Sequence, residues 1–302
     1  MNKLIALALL PLAACVPEFD PGSLIKDTRV LGAKVEVEGD AERSTPHPGE
    51  TANVVFVIEG VEKDPVVSWS LAVCLPAPLT NAPCPESVLA RSEGTGTTPT
   101  LQVVVPAESA LGDASSLHVS GVIDGTPLVY ELALARSLDE DNLQPSLQQT
   151  RFKLDGKDWF EGEALVRGCR AQPELPQVNA DEKEHKISIT LGPDARELYV
   201  GADMEAIYEE LQLSTFVSAG ELERQFSFVE SNDDRERPTV DIKWTAPKRL
   251  RDTADLGVRL LVVVRDSRGG LSVLERALCT VRPSSGQLSA VAAPARPDAR
   301  RT

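Results

Sequence analysis

Short apolar runs that alternate residue by residue constrain this chain more than any other feature. In "KISITL", Ile187, Ile189 and Leu191 share one face while Lys186, Ser188 and Thr190 take the other. "TVDIKW" repeats the pattern with Val240, Ile242 and Trp244 against Asp241 and Lys243, and "LQVVV" does so through Leu101, Val103 and Val105. Side chains alternate across a strand, so period two means half-buried strands with one dry face and one wet face. Turn residues separate the runs, and the result reads as an all-β chain of antiparallel sandwiches rather than a doubly wound parallel sheet. Composition agrees: 42 % of residues are hydrophobic, only 4 % are aromatic, and 302 residues suffice for two ordinary domains.

The runs recur. "PTLQVVVPA" from Pro99 matches "PTVDIKWTAP" from Pro238, and "LHVSGVIDGTPLVYELAL" matches "VRLLVVVRDSRGGLSVLERAL", at an offset of about 140 residues. Each longer match reads as a hairpin around an Asp/Gly turn. "TANVVFVI" and "HKISITL", then "VVSWSLAV" and "LQLSTFVS", occupy corresponding earlier places. Two copies of six or seven short strands resemble tandem immunoglobulin-like or fibronectin-type sandwiches, over residues 24–136 and 143–283. Trp69, mid-strand between Val67 and Leu71, resembles the core tryptophan of such a fold. The frame of two cysteines around that tryptophan is absent, and the second copy lacks the tryptophan. The second copy also carries a long insertion, 156–184, between its first two strands. Residues 284–302 hold too few large apolar side chains to pack and read as a disordered tail.

The start reads as an export signal: Lys3 is the positive region, Leu4 to Leu10 the apolar core, and Ala13 and Ala14 the small residues before Cys15. As a helix this stretch covers roughly 18 Å, short of the roughly 30 Å of hydrocarbon a span must cross. Leu12-Ala13-Ala14-Cys15 resembles the lipobox of bacterial lipoproteins. That resemblance implies cleavage after residue 14, a diacylglycerol on the Cys15 sulfur and usually an acylated amino group. Residues 15–23 would then be a lipidated tether. Each buried methylene contributes about 0.8 kcal/mol, so two or three chains hold firmly to a bilayer. Val16 stands where an aspartate would resemble an inner-membrane retention signal, which makes the outer membrane the expected address.

Five cysteines are present. With Cys15 lipidated, four remain in an oxidising compartment and two disulfides are expected. Cys74 and Cys84 flank "LPAPLTNAP", a loop too short to reach elsewhere, and this leaves Cys169 to pair with Cys279. That second bond would tie the insertion to the last strand.

Chemistry is harder to find. His47, His118 and His185 lie in different elements without metal-ligand spacing and read as surface residues. No nucleophile elbow appears, "EGTGTT" precedes a strand rather than a helix, and no cofactor is implied. A net charge of −15 disfavours nucleic acid. In an immunoglobulin-like module three loops gather at one end, here 192–209, 230–237 and 265–270 in the second copy. They offer Tyr199, Tyr208, Asp233, Asp234, Arg235, Asp266 and Arg268 as candidate binding residues. "ADMEAIYEEL" predicts a short helix with Met204, Ile207, Tyr208 and Leu211 on one face, and Asp233, Asp234 and Asp266 are the acids a calcium variant would use. The plainer reading of these loops is a cap, a solvated charge run and a tight turn.

The expectation is therefore a lipid-anchored envelope protein, not an enzyme, acting through its acyl chains on the membrane and through contacts with envelope proteins or glycans. The rival is a secreted hydrolase using the insertion, where "LDGKDWFEGE" supplies Asp155, Asp158, Trp159 and Glu161.

Overall fold

The computed structural model describes residues 21–76, 82–85, 87–137, 140–200, 205–248, 250 and 253–283. Cys15, the expected signal peptide and the expected tail lie outside the described residues.

The first sandwich contains β1 (Arg29–Val37), β2 (Thr51–Glu59), β3 (Val67–Cys74), β4 (Ala90–Gly96), β5 (Thr100–Val104), β6 (Ser116–Ile123) and β7 (Thr126–Ala133). They form two antiparallel sheets, ordered β1-β2-β5 and β4-β3-β6-β7. The alternating positions meet between the sheets, where Val35, Val54, Phe56, Leu71, Leu101 and Leu117 are buried. Asp124 and Gly125 join β6 to β7 with φ of 48° and 77°, the paired positive φ that a tight hairpin turn requires. Trp69 packs over β4, where Gly94 and Gly96 leave room for its ring, and its Nε1 donates to Ser92 Oγ at 3.1 Å.

The second sandwich contains β8 (Arg151–Leu154), β9 (Lys157–Trp159), β10 (Gln177–Asn179), β11 (Glu184–Thr190), β12 (Leu198–Val200), β13 (Ala206–Tyr208), β14 (Leu211–Val217), β15 (Glu221–Leu222), β16 (Phe226–Val229), β17 (Thr239–Thr245), β18 (Asp255–Asp266) and β19 (Leu271–Val281). Its sheets are ordered β15-β17-β11-β8-β9 and β10-β19-β18-β14-β16. The core orders β8-β11-β17 and β16-β14-β18-β19 repeat β1-β2-β5 and β4-β3-β6-β7, so the sequence repeat is a repeat of topology.

Both expected disulfides are present, Cys74–Cys84 and Cys169–Cys279. The second anchors the insertion, as does β10, which pairs in parallel with β19. The Asp255 carboxylate accepts from Gly168 N at 2.7 Å and Arg170 N at 2.9 Å, and Trp159 Nε1 donates across to Ala277 O at 2.8 Å. The insertion is thus wrapped onto the sandwich.

Three sequence expectations need correction. Residues 206–208 are not helical: β13 pairs with β12 as a two-stranded ribbon. The apolar spacing that suggested a helix has a different cause, since Leu211 opens β14 and is fully buried in its core, while "LYV" (residues 198–200) is a good strand former that finds a partner. His118 is not a surface residue. Its ring is 2 % exposed: Nδ1 lies 2.7 Å from Glu131 Oε1 and Nε2 lies 2.8 Å from Ala82 O, just before the disulfide-bonded Cys84. Finally, the end of the expected tether is bound, with Val217 N donating to Ser23 O and Ile25 N donating to Val217 O, both at 2.9 Å. The chain entering the first sandwich therefore leans on the second.

The two sandwiches are packed together. A separate apolar cluster of Ile25, Leu31, Phe216, Leu261, Val263 and Leu271 joins the outer face of β1 and β2 to the outer face of β14, β18 and β19. Gly32 makes the close approach possible, since a Cβ there would collide with Leu271 and Arg265. Arg259 Nη1 donates to Glu59 Oε2 at 3.0 Å and Nη2 to Gly60 O at 2.6 Å, both side chains nearly buried. Burial pushes the Glu59 carboxyl above its usual range even beside Arg259.

Removing one member of a buried pair strands the other charge and costs about 3–5 kcal/mol. Glu59→Ala should therefore lower the urea midpoint of the whole chain clearly. Lys63→Ala, which removes the exposed Lys63–Glu163 pair at 2.6 Å, should hardly move it.

Candidate functional site

The three loops predicted to gather do gather, but their side chains are spent on one another. Arg196, buried, donates to Asp233 O at 2.8 Å and Arg235 O at 3.1 Å, which fixes loop 230–237. Its guanidinium also stacks 4.6 Å from the Tyr208 ring centre. Arg268 stacks 4.9 Å from Tyr199 and donates to Glu209 Oε1 at 3.2 Å and to Glu140 O at 3.2 Å, with a further bond to Asp141 O. Each tyrosine of the ribbon therefore packs under an arginine, and Arg268 ties the ribbon to the segment linking the sandwiches.

The acids are likewise engaged separately. Asp266 accepts from Arg268 N and Gly270 N, both at 2.8 Å, and from Asn142 Nδ2 at 3.1 Å. Asp233 accepts from Arg235 Nε at 2.8 Å, and hydrogen bonds from Arg235 pull its carboxyl down to about 2. Asp234 is exposed. Among the described residues these three acids do not converge; the one group with metal-ligand proximity is Cys169, Asp255 and Cys279, whose sulfurs are bonded to each other.

Beside this end a crevice of about 470 Å³ lies between the linking segment and the second sandwich, walled by Glu42, Gln144, Glu197 and Glu209. Glu209 is 1 % exposed. Burial first, then the neighbouring Asp266 charge, pushes its carboxyl up to about 7.

A further cavity, of about 320 Å³, lies where the insertion leaves the β8–β9 hairpin. Its walls are Thr150, Arg151, Phe152, Asp158, Trp159, Phe160, Glu161 and Arg276. Chain geometry explains the arrangement. The β8–β9 hairpin turns at Asp155 and Gly156, with φ of 51° and 78°, and alternation then sends Trp159 inward and Phe160 outward. Phe160 is 75 % exposed, the highest value among the large hydrophobic side chains described. Arg276 comes from β19 on the other sheet. Only 5 % exposed, it stacks 4.4 Å from the Phe152 ring centre and donates from Nη1 to Glu275 O at 2.7 Å. Glu161 Oε1 lies 3.3 Å from that same nitrogen.

Two residues in these walls each hold a buried polar atom without a hydrogen-bond partner, Arg276 Nε and Thr150 Oγ1, and neither atom is open to the cavity. A buried donor or hydroxyl left unpaired costs about 1–3 kcal/mol, which is why such groups are uncommon in folded chains. Sequence reasoning named Asp158, Trp159 and Glu161 but missed Phe160, Thr150 and Arg276. A large aromatic at an outward strand position was the available signal for Phe160; nothing local marks the other two.

Neither a family model nor a curated protein matches the sequence. Among solved structures, a glycosyl hydrolase family 2 member from Bacteroides cellulosilyticus is 11 % identical, over 83 % of this chain and 29 % of that one, with a TM-score of 0.22. Adhesin InvE of Yersinia pseudotuberculosis is 9 % identical over 83 % of this chain and 58 % of its own, at 0.20. The Enterococcus faecalis MSCRAMM ACE, which binds its ligands by the collagen hug model, is 8 % identical over 82 % and 94 %, at 0.19. The chain thus spans less than two thirds of the first two structures. At these values the likenesses carry no argument about what this chain binds or does.

Glu209 gives a pH signature with a definite sign. A carboxyl whose folded-state value lies near 7, above the ordinary 4.5, favours folding while protonated, and that contribution is lost as pH rises through 7. Glu209→Gln should therefore flatten the decline in stability between about pH 4.5 and 7.5 and raise the melting temperature at pH 8, the effect being a few kcal/mol at most. Thermal melts of both proteins across that range give the answer; identical slopes would remove Glu209 as the cause.

Proposed function

We propose that this chain is a lipid-anchored envelope protein with a binding role, and that the cavity beside Phe160 is its binding site. The observation that carries the binding reading is Phe160, 75 % exposed, beside a concave surface walled by Arg151, Asp158, Glu161 and Arg276. An exposed aromatic beside a hollow with a few charged groups is the kind of surface that ligand sites use. The anchor rests on the lipobox-like sequence ending at Cys15. Among the described residues no helix is long and apolar enough to cross a membrane, so acyl chains are the means of attachment this reading assigns. An outer-membrane address follows from Val16 after the cysteine.

A hydrolase remains as a second reading because Asp158 and Glu161 line the same cavity. Their settings argue for binding. They are 65 % and 80 % exposed in their side chains, with Lys153 at 3.9 Å and Arg276 at 3.3 Å respectively. The burial in apolar surroundings by which a general acid usually holds its proton is missing. Asp155, the third acid of the segment, is committed to His185 at 2.7 Å and Lys186 N at 2.9 Å.

Cells fed an alkyne-tagged fatty acid test the anchor. The protein should be labelled and sediment with membranes, while Cys15→Ser should lose the label and keep its leader; an unlabelled native protein would overturn this reading. Incubation of the purified protein with envelope glycans tests the choice between roles. Binding without cleavage is expected, and turnover abolished by Asp158→Asn would install the hydrolase instead.

A further inference from the structure

We propose that β16 is a docking edge for a second copy of this chain, the two strands pairing antiparallel across a twofold axis at Ser227. The inference is independent of the Phe160 cavity.

β16 closes one side of the sheet β10-β19-β18-β14-β16, and among the described residues no strand lies beyond it. An open edge is a ready template for another strand, and folded chains blunt it with charge, proline or shortness. Edges elsewhere in this chain are blunted in those ways. β4 carries Arg91 and Glu93, β7 carries Pro127 and Glu131, and β9 and β15 are three and two residues long. β16, "FSFV", holds neither a charge nor a proline. Its outward positions are Phe226 and Phe228, 47 % and 51 % exposed, while Ser227 and Val229 turn inward. Two half-bare phenylalanines thus form an apolar strip along an unguarded edge.

Hydrogen-bond direction selects the register. Thr215 N donates to Gln225 O at 2.8 Å, and the pairing continues with Ser214 opposite Phe226 and Leu213 opposite Ser227. Along an antiparallel strand the backbone groups point alternately to one neighbour and to the other. Those of Gln225, Ser227 and Val229 therefore point to β14, and those of Phe226 and Phe228 point to the open edge. A second β16 centred on the same Ser227 sets Phe226 of each copy opposite Phe228 of the other. Residues with open N–H and C=O groups then meet residues of the same kind.

The side chains fit this register. Directly opposed residues share a face of the sheet, so the phenylalanines of the two copies pack pairwise and Arg224 faces Glu230 at each end. All four of these residues are exposed in one copy. The segment "RQFSFVE" is self-complementary, a positive end against a negative end around an aromatic centre. That is the requirement of an isologous contact, in which residue i meets j and j meets i. Arg224 Nη2 donates to Asp241 O at 2.6 Å, which holds the guanidinium beside the strand and leaves further N–H groups of the fork for a carboxylate. The contact is narrow, one strand and two aromatic rings from each copy, so the dimer is weak and reversible.

Sedimentation equilibrium of the full chain tests this, in density-matched detergent so that an acyl anchor does not itself drive association. Salt at about 0.15 M screens the mutual repulsion of two chains of charge −15. The native chain should show a monomer–dimer equilibrium in the micromolar range. Phe226→Lys should raise the dissociation constant about tenfold with the melting temperature unchanged, since the ring it removes is half exposed in one copy. Arg224→Glu and Glu230→Arg should each weaken self-association severalfold, because like charges then face each other. An equimolar mixture of those two variants should regain the native affinity, because every facing pair is again opposite in sign. A change that acted only by disturbing the fold would not be rescued by mixing. A chain monomeric at every concentration would overturn the proposal and leave the edge to a strand of another protein. A dimer indifferent to Phe226→Lys, or a mixture that fails to recover, would overturn it as well.

Discussion

The structure depends on β18 being buried on both faces. Val258, Leu260, Val262 and Val264 point into the second sandwich, while Leu261 and Val263 point out of it and would be wet in an isolated module. The outer face of β1 and β2 covers them. Apolar area kept from water stabilises by about 25 cal/mol per Å², and the buried Glu59–Arg259 pair adds the register, since either charge alone would be stranded. The two sandwiches are therefore one body rather than modules on a flexible string.

That packing decides which surfaces are free. The segment entering the second sandwich arrives at the end where its three loops gather, so Arg268, Asp266 and Asn142 are used to seat it. A loop cluster that often serves for binding in single domains becomes a joint here. The insertion between β8 and β11 lies on a different side, tied down by Cys169–Cys279 and by Trp159, with Phe160 left standing at the edge of a cavity. Rigid support under an exposed aromatic is the arrangement expected of a site whose geometry must survive without its ligand.

Much of this was legible in the residues. Period-two runs such as "KISITL" and "TVDIKW" became β11 and β17, paired in register from Ile187–Ile242 to Thr190–Thr239. Loop length found Cys74–Cys84, and the remaining pair followed. The failures have physical causes. "LVVV" within β18 is a continuous apolar run, the mark of a strand covered on both sides, but nothing in the run says what covers its second face. Leu211 and Tyr208 fell at helical spacing by coincidence, because a core position of β14 follows directly after the ribbon. His118 alternates outward as read, but no local pattern shows that Ala82, beside the disulfide-bonded Cys84, will lie against it. Arg276 and Thr150 meet only through the pairing of distant strands, and pairing across the two sheets leaves no trace in either segment.

Scanning calorimetry of the whole chain tests most directly whether the two sandwiches stand or fall together. A joint of this kind predicts one transition whose calorimetric and van't Hoff enthalpies agree. Two resolved transitions, or a van't Hoff enthalpy near half the calorimetric value, would show that the outer face of β18 does not couple the sandwiches.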